Sequence, residues 1–155
     1  MALLDHLVNA FVLTCEKVLF EKDDVISLIR LVDVFYAPRG KVQPTNTVEN
    51  CPAIGMAVVA AVKFDPTAAD GTKHQFSLKL VRPSGEEKDI LQGPAEFELT
   101  TSPKHPMAPV GFNGLFSPVM VVPKQLGQHR LIAFIDGQEV CQTIFTLAEV
   151  EEPKL

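Results

Sequence analysis

The sequence predicts an all-β protein: a single antiparallel β-sandwich of about eight strands, immunoglobulin-like in organisation. Three observations predict it. Twelve prolines divide the chain into loops and ladders, because proline cannot donate to the middle of a paired strand. Runs such as "HQFSLKLV" (74–81) and "AEFELT" (95–100) alternate apolar with polar residues, the period-2 signature of a half-buried strand. Asp136-Gly137, set between two apolar runs, is a two-residue hairpin signal. The 155 residues suit one domain, long enough to bury about 70% of its unfolded surface. We place that domain at residues 1–150, with 151–155 as a flexible acidic tail.

The N-terminal third carries two competing signals. Leu4, Leu7, Val8, Phe11, Val12, Cys15, Val18 and Leu19 follow the rhythm of an amphipathic helix. Yet Val8, Phe11, Val12, Thr14, Val18 and Phe20 are strand formers, and "FEKDDV" supplies a turn into "VISLIRLVDVFY" (25–36). Strand, turn, strand is the prediction, with a helix over 6–20 as the alternative.

Further along, "AIGMAVVAAVKF" (53–64), bounded by Pro52 and Pro66, is apolar on both faces and reads as a covered strand. In 74–81, His74, Phe76, Leu78 and Leu80 point one way and Gln75, Ser77 and Lys79 the other. "RPSGEE" then turns the chain, with Pro83 presetting φ and Gly85 free to take a positive one. In 95–100, Ala95, Phe97 and Leu99 oppose Glu96 and Glu98. "FNGLFSPVMVV" (112–122) is a strand that Pro118 confines to an edge or a bulge. Residues 128–135 and 138–147 close the fold as a hairpin.

The succession "FVLTCEKVLFEKDDVISLIRLVDVF", the apolar strand near residue 56, "FSLKLVRPSGEE" and "LGQHRLIAFIDGQEV" resembles a family of small bacterial β-sandwich proteins known as a domain of unknown function. The likeness spans most of the chain. The family usually carries an aromatic residue where this chain has His129. The resemblance implies the sandwich fold and, since the family has no assigned activity, no catalytic residues.

Composition narrows the function. The net charge is -5, with lysine and arginine scattered singly, so no basic stripe exists to neutralise a phosphate backbone and nucleic acid is not an expected partner. Cys15, Cys51 and Cys141 are an odd number at wide spacing, predicted to be reduced thiols in a cytoplasmic protein. No basic residue precedes the first apolar run, and no run reaches a membrane span, so neither a leader nor a membrane is expected. His6, His74, His105 and His129 lie in separate elements, without the spacing that puts two metal ligands on one face. Ser84 sits in a hairpin turn, where its hydroxyl serves the turn. With no Trp and only Tyr36, the chain lacks sugar-stacking platforms. We expect no enzyme, no cofactor and no metal. Were the protein an enzyme with a dispersed site, His74, His129 and Cys51 would be the first positions to test.

Two places invite a partner. Arg30 and Asp33 interrupt an apolar strand and point to opposite faces, so one of them is expected in a buried ion pair, with Asp24 or Asp136 as the counterpart of Arg30, or as a ligand anchor. In the closing hairpin, a two-residue turn with regular pairing sets Ala133 opposite Val140, Leu131 opposite Gln142 and His129 opposite Ile144. Ile132, Cys141, Phe134 and Phe145 then fall on the other face. Only one face can meet the core, and a water-exposed Ile132, Phe134, Phe145 cluster would be sticky, so either residues 1–20 of the same chain or a second subunit is expected to cover it. The expectation is a cytoplasmic interaction or assembly module, self-associating through this hairpin or binding another protein. A small-molecule or peptide-binding sandwich is the alternative.

Overall fold

The computed structural model describes residues 2–20, 22, 26–31, 33–37, 47–48, 51 and 53–149; the acidic tail lies outside them. The chain is all-β. Its strands are β1 (Leu7–Phe20), β2 (Ile26–Leu31), β3 (Val34–Ala37), β4 (Ile54–Phe64), β5 (Lys73–Val81), β6 (Glu87–Asp89), β7 (Ala95–Glu98), β8 (Val110–Val121), β9 (Gly127–Ile135) and β10 (Gln138–Glu149). They form two sheets. One has the order β2-β1-β4-β8; the other runs β3-β10-β9-β5-β6, with β7 also pairing β5.

Strand formers prevail over the helical rhythm at the N-terminus. Residues 7–20 are one long strand, paired to β4 along Leu7–Cys15 and to β2 beyond. A 3-10 turn, Leu3–His6, precedes it. The expectation of about eight antiparallel strands needs two corrections. The run read as one strand over 25–36 is two strands, β2 ending at Leu31 and β3 starting at Val34: β2 pairs β1 in the first sheet, whereas β3 joins β10 in the second, and in parallel. Asp33 marks the crossing, its carbonyl accepting the Thr146 amide at 2.8 Å. The three-residue β6 is the other addition.

The core lies between the sheets. Alternation in β4 buries Met56, Val58, Ala60, Val62 and Phe64, and in β5 His74, Phe76, Leu78 and Leu80. Phe76 of the second sheet stacks on Phe112 and Phe116 of the first, at 4.6 and 5.7 Å between centroids. Gly114 makes room for those rings: a Cβ there would lie 2.6 Å from Phe112 and 2.7 Å from Phe116. As Pro118 requires, β8 is an edge strand, and its pairing with β4 is irregular between Met56 and Val58, where Ser117-Pro118 is passed over.

The closing hairpin turns on Asp136 (φ 50°) and Gly137 (φ 79°), both positive as a type I′ turn demands. Its register departs from the regular pairing. A bulge between Glu139 and Cys141 leaves Val140 over, so that Ala133 pairs with Cys141, Ile132 with Gln142 and His129 with Phe145. One extra residue inverts the facing of everything after it. Phe145 therefore joins the core, fully buried, its ring stacked on His129 at 4.9 Å and edge-on to Phe35 at 5.4 Å.

Candidate functional site

The expected apolar cluster on the hairpin does not form. Phe145 is on the core face, Ile132 is buried, and Cys141 is half-buried against the core. Phe134 is half-buried beneath Lys79, whose ammonium lies 5.4 Å from the ring centroid. The physical reason is the bulge, which separates Phe145 from Ile132 and Phe134, together with the central position of β9 between β10 and β5.

Exposed apolar surface gathers elsewhere, at the crossing from β2 to β3. Leu31 is 60% exposed, Tyr36 65% and Val34 38%. With Phe35, Met56 and Cys15 they line a cleft of about 460 Å³. A second cleft of about 230 Å³ shares Leu31 and Asp33 with it and adds Leu13, Thr143 and Ile144. Among the described residues β2 pairs only with β1, and β3 only with β10, so both are edge strands there. Open edges and contiguous apolar surface are the two features that recruit other chains. The pattern at 25–36 held the apolar residues; the change of sheet that exposes them had no local sequence signal beyond Asp33.

Asp33 is exposed and forms no buried ion pair as a strand residue would; the Arg30 side chain lies outside the described residues. Asp136, offered as its counterpart, is engaged otherwise, accepting from the Gln75 amide at 2.9 Å and contacting His74 at 2.6 Å. A buried cation does exist, at Arg82. Its side chain is 1% exposed; Nη1 lies 3.0 Å from Glu86 Oε1, and Nη2 donates to the Val122 carbonyl at 2.9 Å. The sequence held this signal, because position 82 continues the inward parity of Phe76, Leu78 and Leu80. Ser84 serves its turn as expected, its hydroxyl oxygen accepting the Glu86 amide at 3.4 Å.

His74 and His129 have separate hydrogen-bond partners. His129 is fully buried, Nδ1 3.0 Å from the Gly127 carbonyl and Nε2 3.0 Å from the Pro123 carbonyl. His74 lies between two aspartates: Nδ1 meets Asp136, while Nε2 lies 3.2 Å from Asp70 and 3.1 Å from the Thr72 hydroxyl. Thr72, His74 and Asp136 have the order of a nucleophile, base and orienting acid. The second carboxylate spoils that role. Burial pushes the ring's pKa down, but the hydrogen bonds and charges of Asp136 and then Asp70 outweigh it and raise it above the ordinary value. Both carboxylates favour the protonated ring, which is a donor and not a base.

Burial raises the Cys15 thiol, and burial with the nearby Glu139 charge pushes Cys141 up to about 11. Neither is an activated nucleophile. Among the described residues, no group of three His, Cys, Asp or Glu side chains is placed to hold a metal ion, and no helix is long and apolar enough to cross a membrane.

No family model matches the chain, and neither does any curated protein. Among solved structures it is similar to the Pseudomonas fluorescens alkylpurine DNA glycosylase AlkC bound to DNA containing an abasic site analog, at 10% identity and a TM-score of 0.38. The match covers 61% of this chain and 26% of that protein, so the chain spans about a quarter of the glycosylase's length. So slight a likeness carries no argument about activity.

Proposed function

We propose that the protein is a non-catalytic cytoplasmic interaction module with an immunoglobulin-like sandwich, and that its contact surface is the β2–β3 crossing. The observation that carries this reading is the exposure of Leu31 and Tyr36 on two strands that end their sheets among the described residues. The occupant we favour is a second copy of the chain. An edge strand laid antiparallel against itself is self-complementary under a two-fold axis, and the apolar rim supplies contact for an interface of roughly 800 Å² per partner. The odd, widely spaced cysteines and the pattern resemblance to small bacterial sandwiches support the compartment and the fold class.

Light scattering on the wild type and on the double variant Leu31→Lys, Tyr36→Lys tests this. A wild-type dimer that becomes a folded monomer in the variant supports the reading. A wild type that stays monomeric at high micromolar concentration overturns the second copy as occupant. A second reading, a small-molecule or peptide-binding sandwich, draws on one observation. Ser77, Lys79, Gln92, Asp89 and Phe134 line a cleft of about 350 Å³ on the second sheet. A ligand screen by thermal shift favours it if one compound raises the melting temperature through linkage and Ser77→Trp abolishes the shift.

A further inference from the structure

His74 joins three elements. It opens on β5, its Nδ1 reaches Asp136 in the β9–β10 turn at 2.6 Å, and its Nε2 faces Asp70 at 3.2 Å and Thr72 Oγ1 at 3.1 Å in the segment before β5. Among the described residues, the charged groups facing the ring are these two aspartates. From β7 it meets the Phe97 ring, at 5.8 Å, and neighbouring Lys73 is turned to Glu96 at 3.4 Å. The His74 side chain is 11% exposed while both carboxylates are nearly half exposed, so protons reach the cluster although the ring is packed.

A neutral imidazole has one N–H donor and an imidazolium has two. Two carboxylates on opposite nitrogens are both satisfied only in the charged form. Thr72 supplies the alternative. Its hydroxyl lies 3.1 Å from Nε2, and its amide donates to Asp70 Oδ1 at 2.9 Å. We propose that His74 is a proton-operated switch that exchanges Asp70 for Thr72. In the charged state Nδ1–H donates to Asp136 and Nε2–H donates to Asp70. When Nε2 releases its proton to water, the Thr72 hydroxyl rotates and donates to the Nε2 lone pair, and Asp70 keeps only the Thr72 amide. The short Nδ1 contact to Asp136 persists in both states. The hairpin turn stays pinned, and the segment Asp70–Thr72 is the part released.

The switch has a signature that a static packing role lacks. Asp70→Asn weakens the charged state and lowers the His74 midpoint, whereas Thr72→Val weakens the neutral state and raises it. Both positions are exposed, so both variants fold. Nuclear magnetic resonance follows the His74 ring protons and the Thr72 amide through a pH titration of each protein. In the wild type the two signals move with one midpoint, above the ordinary histidine value of about 6.5. Opposite displacements in the two variants establish the exchange. Displacements in the same direction, an unchanged midpoint in either variant, or a Thr72 amide that does not follow His74 overturn it.

Discussion

The β9–β10 hairpin and the β2–β3 crossing are both written in apolar residues on two faces, and the fold treats them oppositely. In the hairpin, β9 has a strand on each side, and the bulge at Val140 sends Phe145 inward. At the crossing, each strand has a neighbour on one side only, among the described residues, and Leu31 and Tyr36 remain in water. Two-faced apolar character therefore marks a strand that needs cover. Whether the chain itself provides it depends on the strand's place in the sheet, which local sequence does not encode.

The sharpest way to break this comparison is to truncate one aromatic from each region. Phe145→Ala, removing a buried ring stacked on His129, is expected to cost about 3–5 kcal/mol. Tyr36→Ala, at 65% exposure, is expected within roughly 0.5 kcal/mol in the monomer. Urea unfolding of both decides it; equal losses would mean that the crossing belongs to the core. Gly114→Ala sharpens the account of the core side, since its new methyl meets Phe112 and Phe116, and an overpacking loss of about 1–3 kcal/mol is expected.

How far the sequence carried the fold depends on the range of the information each feature needs. The alternation of 74–81 and the Asp136-Gly137 turn are local, and both stand as read. Pro118 also acts locally, through its missing donor, and its strand is bulged and at an edge. The bulge at Val140 left no glycine or proline to mark it, so the pairing partners past Glu139 came out one residue off. Arg82 was legible by parity but hidden by the turn chemistry of the residues after it. The cluster around His74 joins residues 62 apart, a separation over which periodicity carries no information.

Smaller effects refine the comparison. Thiol labelling under mildly alkaline conditions is expected to modify Cys141 slowly, because its thiol is pushed up to about 11 by burial and Glu139, and Cys15 more slowly still, because it is fully buried. Rapid labelling of Cys15 in the folded protein would show that the crossing opens. For His74, the raised folded value means stabilisation that is complete below the unfolded pKa of about 6.5. It is lost as pH rises through the folded value. Unfolding midpoints of the wild type should fall across that window, and those of His74→Gln should not. A parallel fall in the variant would assign the pH dependence to other groups.

Hydrogen exchange at low and high protein concentration tests the central claim most directly, because association through an open edge must protect backbone amides on that edge. The account predicts that concentration slows exchange in Ile26–Leu31 and Val34–Ala37 and leaves Gly127–Ile135 and Gln138–Glu149 unchanged. Protection that appears on the hairpin instead, or on neither region, would contradict it.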